Sequence, residues 1–129
     1  MEWTEAISEA VRYIESHLTE DITMYDVAEH VNISPFYFHK GFSILCGYTI
    51  TEYIRNRRLA LAGEELLTTG ISVTDLAMKY GYDSPDSFTK AFSRFHGYPP
   101  LTVRKNKTMC KAFAPLQLTI SERYCQVCL

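Results

Sequence analysis

Two stretches of the 129-residue chain carry side chains suited to reading a polar surface rather than to making or breaking bonds. In the first, Phe36, Tyr37, His39, Lys40 and Ser43 fall opposite Phe38 and Phe42 on a helical period. In the second, Pro85, Asp86, Ser87, Thr89, Lys90, Ser93 and Arg94 fall opposite Phe88 and Phe92. The edges of DNA bases suit these groups: lysine donates to guanine O6/N7 or to a phosphate, an aspartate accepts from cytosine N4, and an aromatic ring packs on a thymine methyl. A histidine such as His39 donates or accepts. Phe36 also reads as a partly exposed core aromatic and His39 as a solvated surface residue. The second stretch also reads as positioning on phosphates without base reading. No paired carboxylates, Ser–His–Asp set or phosphate loop occurs, so no enzyme is expected. Cys125 and Cys128 form a lone C-x-x-C without a second pair, and Cys46 sits in an apolar stretch as a small buried residue, so neither metal nor cofactor is expected.

The elements that hold these stretches repeat. The segment ITMYDVAEHVNISPFYFHKGFSILCGY from Ile22 resembles ISVTDLAMKYGYDSPDSFTKAFSRFHGY from Ile71. Asp26 and Ala28 match Asp75 and Ala77 at an offset of 49; one insertion later, Pro35, Phe38, Lys40, Phe42, Gly47 and Tyr48 match Pro85, Phe88, Lys90, Phe92, Gly97 and Tyr98 at an offset of 50. Each copy predicts a short helix, Met24–Val31 or Val73–Tyr80, opened by Thr23-x-x-Asp26 or Ser72-x-x-Asp75 as a capping box. Val27, Ala28 and Val31, then Leu76, Ala77 and Tyr80, point inward. Ser34 and Ser84 cap a second helix with proline at its first position, where a missing N–H costs nothing. That helix is expected to bury Phe38, Phe42 and Leu45 in one copy and Phe88, Ala91, Phe92 and Phe95 in the other, and to end at Gly47 or Gly97 in a left-handed cap. Such a pair is a helix-turn-helix, or an αα-hairpin used only for packing.

An amphipathic helix over 3–18, with Ile7, Ala10, Val11, Ile14 and Leu18 as its stripe, precedes the first copy. Thr49-x-x-Glu52 caps a connecting helix of about 19 residues, roughly 28 Å long, that stops at Gly70. It is apolar on more than one side, as a helix between two lobes would be. Pro99-Pro100-Leu101-Thr102 opens a last short helix ending near Arg104, and LQLTIS alternates as a strand does. The fold class is therefore all-α: two helix-turn-helix subdomains bridged by a long linking helix, about seven helices in all. Residues 1–48 form the first lobe, 49–69 the linking helix and 70–105 the second lobe; 106–129 is a linker or the start of a truncated further domain, or else a disordered tail.

Residues 1–35 hold one basic residue, Arg12, and eight acidic ones, whereas 36–129 hold twelve basic and seven acidic. An acidic face and a basic working surface would give that imbalance, as would ordinary surface scatter. No apolar run approaches a membrane span and the acidic, amphipathic start is no signal peptide, so a cytoplasmic location without membrane contact is expected.

Over about residues 5–105 the chain resembles the AraC/XylS family of bacterial transcription regulators. The resemblance is carried by ISVTDLAMKYGYDSPDSFTKAFSRFHGYPPLTVR, which holds the family's Ile-x-x-x-x-Leu-Ala core, its Gly81-Tyr82 turn, its Phe88-x-Lys90-x-Phe92 helix and its Gly-x-Pro-Pro…Arg ending. Val103 departs from it, standing where an aromatic is usual, which bears on packing. The resemblance implies a sequence-specific double-stranded DNA-binding regulator, an activator, whose two recognition helices enter successive major grooves, with promoter DNA and RNA polymerase as partners. It implies base contacts at Phe36, His39 and Lys40; Asp86, Thr89 and Lys90 are their counterparts in the second helix. Phosphate contacts are expected from Ser34, Tyr37, Thr49, Arg55, Arg57, Ser84, Ser87 and Arg94, with capping alone as the other reading for Ser34, Ser84 and Thr49 and an internal salt bridge for one of the arginines. The alternative is the output half of a ligand-sensing regulator whose effector domain follows residue 129.

Overall fold

The computed structural model describes residues 2–120 and 125–128, the side chains as far as residue 117. Seven helices precede a two-stranded ladder: α1 (Trp3–Ser16), α2 (Met24–His30), α3 (Pro35–Cys46), α4 (Ile50–Thr68), α5 (Val73–Lys79), α6 (Pro85–His96), α7 (Pro100–Asn106), β1 (Gln117–Ile120) and β2 (Cys125–Cys128). They divide into two compact units, Met1–Arg55 with Ala114–Leu129, and Asn56–Phe113.

In the first unit α1 buries Ala6, Ile7, Ala10, Val11 and Ile14, the spacing that one helix face requires, and Leu18 follows. The capping box forms at α2: Thr23 N–H donates to Asp26 Oδ2 at 2.8 Å and Thr23 Oγ1 accepts from Asp26 N–H at 3.4 Å. After α2 the chain turns through Asn32, at φ 59°, which brings Ile33 N–H to Ala28 O at 3.1 Å and Asn32 N–H to Glu29 O at 3.1 Å. This is the paired closure of a Schellman cap, and asparagine tolerates its left-handed residue better than most. It aims α3, whose Phe38 and Phe42 are fully enclosed, with the Tyr53 ring of α4 5.9 Å from that of Phe42. Tyr53 Oη accepts from Leu116 N–H at 2.9 Å, which ties down the start of the ladder. The strand expected at LQLTIS is β1; β2 pairs with it antiparallel, Gln117 opposite Cys128 and Ile120 opposite Cys125.

α3 departs from expectation at Leu45, which is 44 % exposed, while Cys46 takes the inward place. Counting four residues from Phe42 reaches Cys46 rather than Leu45, so the stripe keeps its pitch. Gly41 in the middle of α3 is the second surprise. An ideal Cβ there would lie 2.2 Å from Cη2 of Trp3, whose ring stacks on Phe38 with centroids 6.0 Å apart. Elsewhere in a helix, Gly→Ala stabilises by about 1 kcal/mol. Here Gly41→Ala must swing the Trp3 ring away, and the lost aromatic packing outweighs that gain, for a net loss of about 1–2 kcal/mol. Because Trp3 is the single tryptophan, the same variant should red-shift the emission of the folded protein. A urea midpoint that rose, with unchanged emission, would contradict this packing.

The second unit repeats the pattern. Ser72 Oγ accepts from Asp75 N–H at 3.0 Å at the start of α5, and Gly81, at φ 83°, takes the place of Asn32. Tyr82 N–H reaches Ala77 O at 2.9 Å as Ile33 reaches Ala28. Leu59, Ala62 and Leu66 of α4 meet Leu76, Ala77, Tyr80, Phe88, Phe92 and Val103 in one core. Val103, the departure from the aromatic usual there, is fully buried. Ala91 and Phe95 are only partly buried, and His96, on no expected inward list, is enclosed instead. Its Nε2–H donates to Leu59 O at 2.7 Å and its Nδ1 accepts from Lys111 N–H at 3.0 Å. The imidazole is thus held neutral in one tautomer.

That contact belongs to the segment expected to be a linker. Thr108 N–H closes on Val103 O at 3.2 Å, Lys107 takes a left-handed φ of 53°, and Phe113 is buried beside Phe95. Residues 107–113 therefore form part of the second unit. Burial, opposed by the bond to Leu59 and reinforced by the Lys111 charge, holds the His96 pKa below the usual 6.5. The unfolded chain then takes up the proton first as pH falls. The contribution is complete above about pH 6.5 and is lost as pH falls toward the lower folded value. The urea midpoint of the full chain should fall as pH drops below about 6.5, with a shallower fall in His96→Gln; equal slopes would refute the assignment.

Candidate nucleic-acid interface

α3 and α6 are alike in how they are held: serine cap, proline at the first position, two buried phenylalanines one turn apart, left-handed glycine at the end. Ser34 Oγ accepts from Tyr37 N–H at 3.4 Å, and Ser84 Oγ from Ser87 N–H at 3.1 Å while touching Ser87 Oγ at 3.0 Å. The side that remains open on α3 carries Phe36, 78 % exposed, with exposed Tyr37 and Lys40; Tyr37 leans on Trp3 with ring centroids 5.3 Å apart. His39 is half-buried and its Nδ1 is enclosed without a hydrogen-bond partner among the described residues. The open side of α6 carries exposed Asp86, Ser87, Lys90 and Arg94, with Thr89 half-buried.

Two of the residues expected at phosphates are engaged within the fold instead. Arg57 is 6 % exposed, and its guanidinium donates to the carbonyl of Phe113. Its position on α4 faces the segment that sequence periodicity left outside the lobe, so its burial was invisible. The second is Thr49. Its N–H donates to Glu52 Oε1 at 2.8 Å and its Oγ1 accepts from Glu52 N–H at 3.0 Å. Hydrogen bonds to the carboxyl from the backbone N–H and the side chain of Thr49 hold Glu52 below the usual carboxylate range, with Arg55 adding to the effect. A carboxylate fixed on that N–H repels a phosphate. Arg55 is exposed and keeps its cation available.

Arg57→Met tests the corrected role. Leaving the buried Phe113 carbonyl without its donor should cost about 1–3 kcal/mol in urea unfolding. The salt dependence of DNA binding should keep its slope, whereas a lost phosphate contact would lower that slope by about one.

Among the described residues no group of three or more His, Cys, Asp or Glu could hold a metal ion, and no helix is long and apolar enough to cross a membrane. The side chains of Cys125 and Cys128 lie outside the described ones. The arrangement is that of a tandem helix-turn-helix domain. The helix-turn-helix domain family matches residues 27–106. The transcriptional activator AarP of Providencia stuartii is 37% identical over 102 residues, 79% of this chain and 76% of AarP. The regulatory protein SoxS of Salmonella typhimurium is 34% identical over 104 residues, 81% of this chain and 97% of SoxS. Among solved structures, the DNA-binding domain of AdpA in complex with a target DNA superposes with a TM-score of 0.73 at 26% identity, covering 78% of this chain and 91% of that one. The chain belongs to the AraC/XylS family of DNA-binding transcription regulators.

Proposed function

We propose that this regulator reads promoter DNA with the open sides of α3 and α6, placed in successive major grooves. The observation that carries the reading is the pair of Lys40 and Lys90, matched in the repeat and both exposed on helices whose opposite sides are locked by Phe38, Phe42, Phe88 and Phe92. Base contacts fall to Phe36, His39 and Lys40, and to Asp86, Thr89 and Lys90. Phosphates fall to Ser34, Tyr37, Arg55, Ser84, Ser87 and Arg94, with the amides at the starts of α3 and α6 assisting. Arg57, bound to the Phe113 carbonyl, and Thr49, bound to Glu52, take no part.

The name of AarP, a transcriptional activator, supports activation; recruitment of RNA polymerase in the cytoplasm completes the proposal. The alternative is an output half that answers to an effector domain beyond residue 129: SoxS is matched over 97% of its length, whereas YbfP of Bacillus subtilis is matched over 35% of its own.

Selection from random-sequence duplexes tests the reading. The expected result is one enriched site whose affinity falls steeply with salt, since each neutralised phosphate adds about −0.9 to the logarithmic slope. Recovery of no preferred sequence would reject it.

A further inference from the structure

An apolar groove opens beside α3 in the first unit, with a volume of about 450 Å³. Trp3, Phe36, Ile44 and Leu45 supply its apolar lining, with Gly41 among them and Lys40 its one charged group. Because Gly41 carries no Cβ, the Trp3 ring lies where one would project and so stands close against α3 as one wall of the groove. Ile44 is 71% exposed, yet it stands on a helix whose buried side is already complete. The core does not need this side chain, nor Leu45 beside it.

The second repeat serves as an internal control. At the positions of Phe36, Gly41 and Ile44 it has Asp86, Ala91 and Arg94, so two apolar lining positions become charged and a methyl group stands where the first copy seats a tryptophan ring. At the position of Leu45 it has Phe95, which its own chain covers: the Phe113 ring lies 6.3 Å away and Lys111 Nζ 4.9 Å from the ring centre. The same scaffold thus closes this place in one copy and leaves it open in the other.

We propose that the groove binds an amphipathic organic anion, an aryl or alkyl body carrying one carboxylate. The volume lies within the range of small-molecule sites, and an apolar lining with a single convergent polar group is their usual composition. The charge selects the sign. Lys40 enters no ion pair among the described residues, and no acidic residue lines the groove. A carboxylate at Lys40 Nζ leaves the apolar body against Trp3, Ile44 and Leu45. A second copy of the chain fits poorly, because a two-fold contact through this patch sets Lys40 against its own counterpart. Phe36 and Lys40 are also assigned to bases, so a bound anion excludes DNA. That competition rests on the reading under Proposed function; the binding itself does not.

The single tryptophan reports from inside the groove. The full chain is titrated with phenylbutyrate and with its uncharged analogue phenylbutanol, following Trp3 emission. Phenylbutyrate should give a saturable change and bind about tenfold tighter than phenylbutanol, a preference that Lys40→Met removes. Ile44→Ser with Leu45→Ser should lose both ligands and still bind a selected duplex. Phenylbutyrate should weaken duplex binding by the wild type and not by that double variant. No saturable change at millimolar ligand, equal binding of acid and alcohol, or a doubling of mass in the ligand-free protein would overturn the proposal. If phenylbutyrate binds as stated while duplex affinity stays constant, the exclusion fails, and with it the base contacts of Phe36 and Lys40. If no duplex is ever selected while Trp3 still responds, the DNA reading fails and the anion site stands.

Discussion

Replacing Lys40 and Lys90 together by alanine should lower affinity for a selected duplex by about 100-fold, the product of roughly tenfold at each site. The two lysines are exposed and stand at matched places in the repeat, so each substitution removes one cation and leaves the buried side of its helix intact. Stability should therefore change by less than about 0.5 kcal/mol for each, and the loss can be read as binding. The singles should differ in degree. Lys40 stands beside Phe36 and His39 on a side with mixed aromatic and hydrogen-bonding character, so Lys40→Ala should relax preference at one base position. Lys90 stands beside Asp86 and Thr89, short groups with less reach, so Lys90→Ala should relax preference at its own base position by less. Competition of each variant between the selected duplex and a scrambled one, at several salt concentrations, separates the two outcomes. Full affinity in the double variant would remove α3 and α6 from the DNA.

The helices and their caps were legible because each rests on a local rule. Thr23 with Asp26, Ser34 before Pro35, and Gly47 or Gly97 at a helix end all act within a few residues, and the structure makes those bonds. The inward residues of α1, α2 and α5 followed from a period of 3.6 alone. What escaped depends on partners distant in the chain. Burial of Arg57 needs Phe113, 56 residues later, and His96 needs Leu59 and Lys111. Gly63 makes room for that arrangement: a Cβ there would meet Cys110 Sγ at 2.9 Å and His96 Cε1 at 3.0 Å. A glycine inside a helix hints at close approach, but nothing local names what approaches.

The exposure of the candidate site's residues was legible to the same degree and for the same reason. Phe36, Tyr37, Lys40, Asp86, Ser87, Lys90 and Arg94 are all exposed, as periodicity requires of residues opposite a buried pair of phenylalanines. Gly41 and Trp3 were not singled out, although together they set the surface next to Phe36 and Lys40. The sequence difference that matters here is Gly41 against Ala91, one methyl group at matched positions of the repeat.

Phe92→Ala should have the largest effect on stability. Phe92 is fully enclosed, with the Phe88 ring centre 5.6 Å away and the His96 ring centre 4.3 Å away. Truncating a phenylalanine in such a place costs about 3–5 kcal/mol, part lost transfer energy and part residual cavity. A domain of this size holds about 5–15 kcal/mol in total, so the variant stands near the edge of folding. Relaxation offers little relief: His96 is pinned by Leu59 and Lys111, and Phe88 is itself enclosed. Hydrogen exchange should show amide protection falling at Leu76, Ala77 and Phe88, which share the core with Phe92. Phe92→Leu keeps most of the volume and should cost less than about 1.5 kcal/mol. The pair of variants separates the cavity from mere loss of a ring. If alanine and leucine cost the same, aromatic contact with Phe88 and His96, rather than filled volume, holds this core together.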